Sequence, residues 1–246
     1  MQNKTLRTVS WVNPDSSRES LKLIVVPIPA YPNIRQYTRE FAKNIYSWND
    51  LWIDPKMIVI HAMDFGTVKE ALEKSSFLHH RMPKEWGSMS KAGLLPNGAH
   101  FMVDRDGAVY CLMPPLKNEW MNERWDQANH RWMIRRHLEG NPMALGIENI
   151  TPTNGQYDDV TRKQIQSNAK LIRWLLWFEH GKIQYVTSHH QFNDSTVQQS
   201  MLKQFQLSYT NPHYAVTDRT DVGDAILHQI LELIGMKKWA VKSDFR

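Results

Sequence analysis

Two short runs constrain this chain most: Met57-Ile-Val-Ile-His61 and Met143–Ile150. The first is continuously apolar up to its histidine, and the second is apolar but for Glu148 and Asn149, the pattern of a strand covered on both faces. Such strands need helices above and below, which points to an α/β domain and away from a bundle or a sandwich. The rest of the chain supplies matching pieces. Thr67-Val-Lys-Glu70 fits a capping box and opens an amphipathic helix through Leu78. A second helix is expected from Asp158 or Asp159 through Phe178, with Ile165, Ala169, Ile172 and Leu176 on one face and Gly181 just past its end. A third is expected over Asp221–Ile234, stopped by Gly235. Leu21–Ile28 and Ile183–Ser188 are strand-like. Ala99–Asp104 and Ala108–Met113 read as a hairpin around Arg105-Asp106-Gly107. The expected fold is one α/β domain with a central mixed sheet flanked by helices.

Composition narrows the chemistry. The chain has 246 residues, enough for one large domain or two small ones, and 41% of them are hydrophobic, as in a folded protein. Its single Cys, Cys111, excludes an intramolecular disulfide and any Cys-rich metal site, so a bound metal must be held by His and carboxylates. The net charge of +5 is too mild to argue for nucleic acid, and the basic residues are dispersed among nearly as many acids. No apolar run reaches the length of a membrane helix, and Met1–Asp15 lacks the apolar core of a secretory leader. The cluster Asn13–Ser17 is expected to bound a flexible arm, and Tyr37–Tyr46 to form a short helix. Trp174 and Trp177, on the second helix, are expected to pack inward.

Polar, metal-capable groups sit where apolar runs end. His61 closes Met57–Ile60, His189 follows Tyr185–Ser188, Glu148 lies within Leu145–Asn149, and Asp221 stands where the last helix is expected to open. Ligands of open α/β sheets gather at the carboxyl ends of strands. Two His and one Asp are the donors of a catalytic zinc, leaving a fourth position for water, and a further carboxylate can take that water's proton. The same residues also suit a plainer reading, in which each His is a packed residue after a strand and Asp221 is a helix N-cap. Spacing does not decide between the two. His189 and His190, being neighbours on a strand, cannot both face one site.

At these positions the chain resembles the zinc-dependent N-acetylmuramoyl-L-alanine amidases of the type-2 group, which includes the peptidoglycan recognition proteins. Met57–His61 resembles the family's strand that ends in the first ligand His. Gly98-Ala-His-Phe-Met-Val-Asp-Arg-Asp-Gly107 resembles its His-hydrophobic-Asp-Arg-Asp-Gly hairpin. Asn129-His130 resembles the pair lining its substrate groove, Ala144–Glu148 the strand with its catalytic Glu, and Val186–His189 the segment with the second ligand. Arg219-Thr-Asp221-Val-Gly223 resembles the segment with the third ligand and a catalytic cation two residues before it. The six pieces keep the family's order over roughly residues 55–235. Arg219 stands where many members have Lys, Ser188 where Gly is usual and Val222 where Pro is usual.

The resemblance implies a zinc site of His61, His189 and Asp221, with Glu148 and Arg219 as catalytic residues and His100, Asn129 and His130 as substrate-binding residues. It implies hydrolysis of the amide between N-acetylmuramic acid and L-alanine in peptidoglycan or muropeptides. It places the catalytic domain at 51–246, with an insertion near 192–217, and leaves 1–50 as an N-terminal extension packed on it. His190 and His213 remain competing ligands because His189 to Asp221 is longer than in compact members. A recognition domain without catalysis is the alternative; the presence of all three candidate ligands and Glu148 weighs against it. The substrate favours the cell envelope or the exterior as the place of action. No nucleic-acid partner and no membrane span are expected.

Overall fold

The structure, a computed structural model, describes residues 5–26, 52–53, 55–74, 99–112, 125–126, 133–134, 138–139, 144–152, 159–188 and 222–236. In chain order the strands are β1 (Thr5–Val12), β2 (Arg18–Val25), β3 (Trp52–Ile53), β4 (Met57–Asp64), β5 (Phe101–Val103), β6 (Val109–Cys111), β7 (Trp125–Asp126), β8 (Met133–Ile134), β9 (Leu138–Glu139), β10 (Ala144–Thr151) and β11 (Tyr185–Ser188). The described helices are α1 (Val68–Lys74), α2 (Arg162–Phe178) and α3 (Asp224–Leu233).

Seven strands form one mixed sheet in the order β1-β2-β6-β5-β10-β4-β11. β4 lies between β10 and β11, parallel to both, and β10 is also parallel to β5. The hairpin β5–β6 is antiparallel, as expected from its turn. All eight residues of β10 are buried, the polar Glu148, Asn149 and Thr151 among them.

Alternate side chains divide the sheet into two faces. One face carries Ile58, Ile60, Phe101, Val103, Leu145 and Ile147, packed with α2 and α3 into the main core. Trp174 of α2 meets Phe101 edge-on, with ring centroids 6.1 Å apart. The other face carries Met102 and Ile150, which cluster with Val68 and Ala71 of α1.

Polar side chains fasten α2 to the sheet. Gln164 Nε2 donates to the carbonyls of Val103 (3.0 Å) and Ile150 (2.8 Å). Asn168 Nδ2 donates to Asn149 Oδ1 at 2.7 Å, and Asn149 Nδ2 donates to the His61 carbonyl at 3.0 Å. Buried amides satisfied in this way fix the axial position of a helix that apolar contacts alone would let slide.

Several local expectations are corrected. Asn13–Ser17 is the turn of the β1–β2 hairpin, not an arm boundary: Asn13 N donates to the Ser17 carbonyl at 2.8 Å and Ser16 adopts φ 68°. The N-cap of α2 is Thr161, not Asp158 or Asp159. Its hydroxyl accepts from Gln164 N while Gln164 Oε1 accepts from Thr161 N, a capping box that outcompetes the acidic residues before it. Helix α3 starts at Asp224 with Gly223 as its cap, so Asp221 does not open it. Trp174 is buried, but Trp177 is 44% exposed, because Trp174 already lies at one edge of the helix's buried stripe and Trp177 falls beyond that edge. Tyr37–Tyr46 and the insertion near 192–217 lie outside the described residues.

Candidate active site

Glu148 and His61 are paired in register on the parallel strands β10 and β4. Register partners in a sheet point to the same side, about 4.8 Å apart strand to strand. Their neighbours Asn149 and Ile60 face α2, so Glu148 and His61 face the opposite way, on the side of α1. Both are nearly buried, at 5% and 3% exposure. An ionised carboxylate in such a place is tolerated only beside a compensating charge, donor or metal. An imidazole is level with it.

His100, just before β5, is fully buried. Its Nδ1 accepts from Gly146 N at 3.1 Å, and its own N donates to the Gly146 carbonyl at 3.1 Å. With Nδ1 accepting, a neutral His100 ring carries its proton on Nε2. The hairpin histidine is thus anchored to the strand that carries Glu148, two residues before it.

His189, Asp221, Arg219, Asn129 and His130 lie outside the described residues. Two of their chain neighbours are placed. Ser188 pairs with Ile60, the residue before His61, and Val222 is fully buried in the core that contains Ile60 and Ala62. Among the described residues no three His, Cys, Asp or Glu side chains group as metal ligands. Of the three ligands the sequence suggests, only His61 is among them. Its donor type suits zinc, which takes imidazole nitrogen and carboxylate oxygen. The residues present fit such an ion: a buried imidazole with a buried carboxylate beside it, within two parallel strands that continue past them, β4 to Asp64 and β10 to Thr151.

One participant goes unnoticed in the sequence. Asn149 ties the His61 carbonyl to α2, and the available signal was a polar amide inside a run of buried apolar residues.

The architecture and this face define an α/β protein with a polar, buried His–Glu pair on two adjacent parallel strands. The family profile for N-acetylmuramoyl-L-alanine amidase matches residues 51–200, more than half of the chain, and the chain belongs to that family. No curated protein matches it. Among solved structures it is similar to the N-acetylmuramoyl-L-alanine amidase LysC from Clostridium intestinale URNW, at 17% identity and TM-score 0.38, covering 76% of this chain and 99% of that one. It is also similar to PlyL, at 14% identity and TM-score 0.40, covering 85% and 94%. A selenomethionine derivative of AmpD gives 18% identity and TM-score 0.34, covering 56% and 76%. The family assignment rests on the match over 51–200. No described helix is long and apolar enough to cross a membrane.

Proposed function

We propose that this protein is a zinc-dependent amidase that hydrolyses the amide between N-acetylmuramic acid and L-alanine in peptidoglycan or muropeptides. The observation that carries the reading is the level pairing of Glu148 with His61 on the face opposite α2, inside a segment that matches the amidase family.

In this reading His61, His189 and Asp221 hold the ion. The chemistry zinc supplies when bound is polarisation of the scissile carbonyl and a lower pKa for its water. Glu148 accepts the water proton and returns it to the leaving amine. Arg219 faces the developing oxyanion; its guanidinium stays charged, so it stabilises charge without sharing in proton transfer. Its removal is expected to cost about a hundred- to thousand-fold in rate. Asn129 and His130 border the substrate, and His100 acts from beneath by holding Gly146, two residues before Glu148. The substrate places the protein's work at the cell envelope or outside the cell.

The test is metal content together with cleavage. Wild type should bind one zinc and release new L-alanine amino termini from muropeptides, with chelator abolishing release and zinc restoring it. His61→Ala, His189→Ala and Asp221→Ala should each lose zinc. Full zinc in Asp221→Ala would move the third ligand to His190 or His213. Bound zinc with no cleavage would favour a recognition domain.

A further inference from the structure

The row of side chains through Glu148 does not stop at the family segment. Register carries it from His61 and Glu148 to Met102, Tyr110, Ile24 and Leu6, so all six stand on one face. Its far end belongs to the β1–β2 hairpin, which precedes the matched residues 51–200. On this face the hairpin presents Thr8, Ser10 and Val12 from β1 and Arg18, Ser20 and Lys22 from β2, every one exposed.

The hairpin's other face is committed to the core. Trp11, Leu21 and Leu23 are buried there, and Glu19 takes Arg173 of α2 at 3.1 Å. The exposed face therefore has two cations and no carboxylate of its own. The nearby acids are engaged within their turns. Asp15 accepts from Ser17, Asp104 from Arg105 N, and Asp106 from Ala108 N.

The register also fixes where these cations stand. Leu23 is level with Val109, Val103 and Asn149, so residues of β2 before Leu23 run toward and past the carboxyl ends of β10 and β4. That is the end at which α/β sheets collect ligands. Three strand spacings and two residues of rise separate Lys22 from Glu148, about 16 Å between α-carbons. Met102 and Ile150, between them, are buried beneath α1, so a ligand that reaches both does not lie flat along the row. Arg18, four residues further along, lies about 24 Å from Glu148.

We propose that this hairpin face is an additional binding surface for the peptide portion of the wall polymer. Lys22 and Arg18 take carboxylates of stems neighbouring the one whose amide lies at Glu148. The identity of the polymer rests on the amidase reading; the location and charge of the surface do not.

The experiment is co-sedimentation of the full chain with purified peptidoglycan sacculi, using Glu148→Gln as the parent to prevent turnover. Adding R18E/K22E should weaken binding about tenfold or more at low salt, with the difference shrinking as salt rises. K170E, the same reversal on an exposed position of α2 across the sheet, should bind as the parent does. Sacculi whose carboxylates have been amidated should bind the parent and R18E/K22E alike. Equal binding of parent and R18E/K22E to native sacculi overturns the proposal. So does a change in oligomeric state by light scattering without a change in binding, which would assign the face to a second copy. If R18E/K22E loses binding but wild type releases no new L-alanine amino termini, the amidase reading fails and the surface stands.

Discussion

Glu148 and His61 stand level with each other on neighbouring parallel strands, facing away from α2 and almost wholly buried. The sheet backbone, not a loop, sets their separation, and Asn149 holds the His61 carbonyl from the far side. Elements this rigid keep two polar groups in place without reorganisation.

Glu148→Gln keeps the shape of the side chain but removes its capacity as a base. The expected result is a fall in kcat of about 10²–10⁴-fold with zinc content near that of wild type. Release of new L-alanine amino termini, read beside metal analysis, checks it. An unchanged kcat would remove Glu148 from proton transfer.

The amide chain beneath the site makes a separate prediction about stability. Asn168 Nδ2 is shared between Asn149 Oδ1 and the Gln164 carbonyl, and all of these groups are buried. Replacing either Asn by Ala takes a hydrogen-bond partner from the other inside the core. Each change should destabilise the fold by about 1–3 kcal/mol. Because the two residues act as one unit, Asn149→Ala/Asn168→Ala should cost less than the sum of the singles, by about 0.5–3 kcal/mol. Urea midpoints of the three variants decide; strict additivity would mean that the ladder is not cooperative.

Gly107 closes the β5–β6 turn at φ +87°, where a Cβ would lie 2.9 Å from Ser167 Oγ and 3.1 Å from the Lys163 carbonyl. Ser167 can rotate, though it would give up its 2.7 Å bond to the Gly107 carbonyl, but the Lys163 carbonyl is helix backbone. Gly107→Ala should therefore lower stability by about 1–3 kcal/mol, read as a drop in melting temperature. A melting temperature equal to that of wild type would show that turn and helix part at little cost.

The sequence made the interior legible and the edges less so. Mostly apolar runs mark β4 and β10 because strands buried on both faces favour such residues, and His61, Glu148 and Asn149 stand out against them. The β5–β6 turn was readable from Asp-Gly chemistry. The start of α2 was not, since Asp158, Asp159 and Thr161 are all acceptable caps and only the reciprocal Gln164 bond selects Thr161. The turn Asn13–Ser17 looks like an arm boundary because turn residues and linker residues share a composition. What distinguishes them is the long-range pairing of β2 with β6, which no local pattern encodes. At the site, the chemical types of His61 and Glu148 were visible, but their level pairing depends on strand order. Asn149 was overlooked because its partners, the His61 carbonyl and Asn168, are distant in sequence.

Tyr110 gives a pH prediction on the row that leads from the site to the hairpin. Burial comes first, then the negative charges of Asp104 and Asp106; together they hold its phenol above the ordinary value of 10.0. The neutral phenol is thus favoured more in the folded protein than in the unfolded chain. Its contribution to stability is complete below the unfolded value and is lost as pH rises through the higher folded value. Tyr110→Phe cannot ionise, so above about pH 10 its stability should fall less steeply than that of wild type. Between about pH 7 and 9 the two should differ by a constant offset. Denaturant midpoints across that range, with difference absorbance to follow tyrosinate, make the comparison. Parallel curves above pH 10 would show that folding leaves the Tyr110 phenol at its unfolded value.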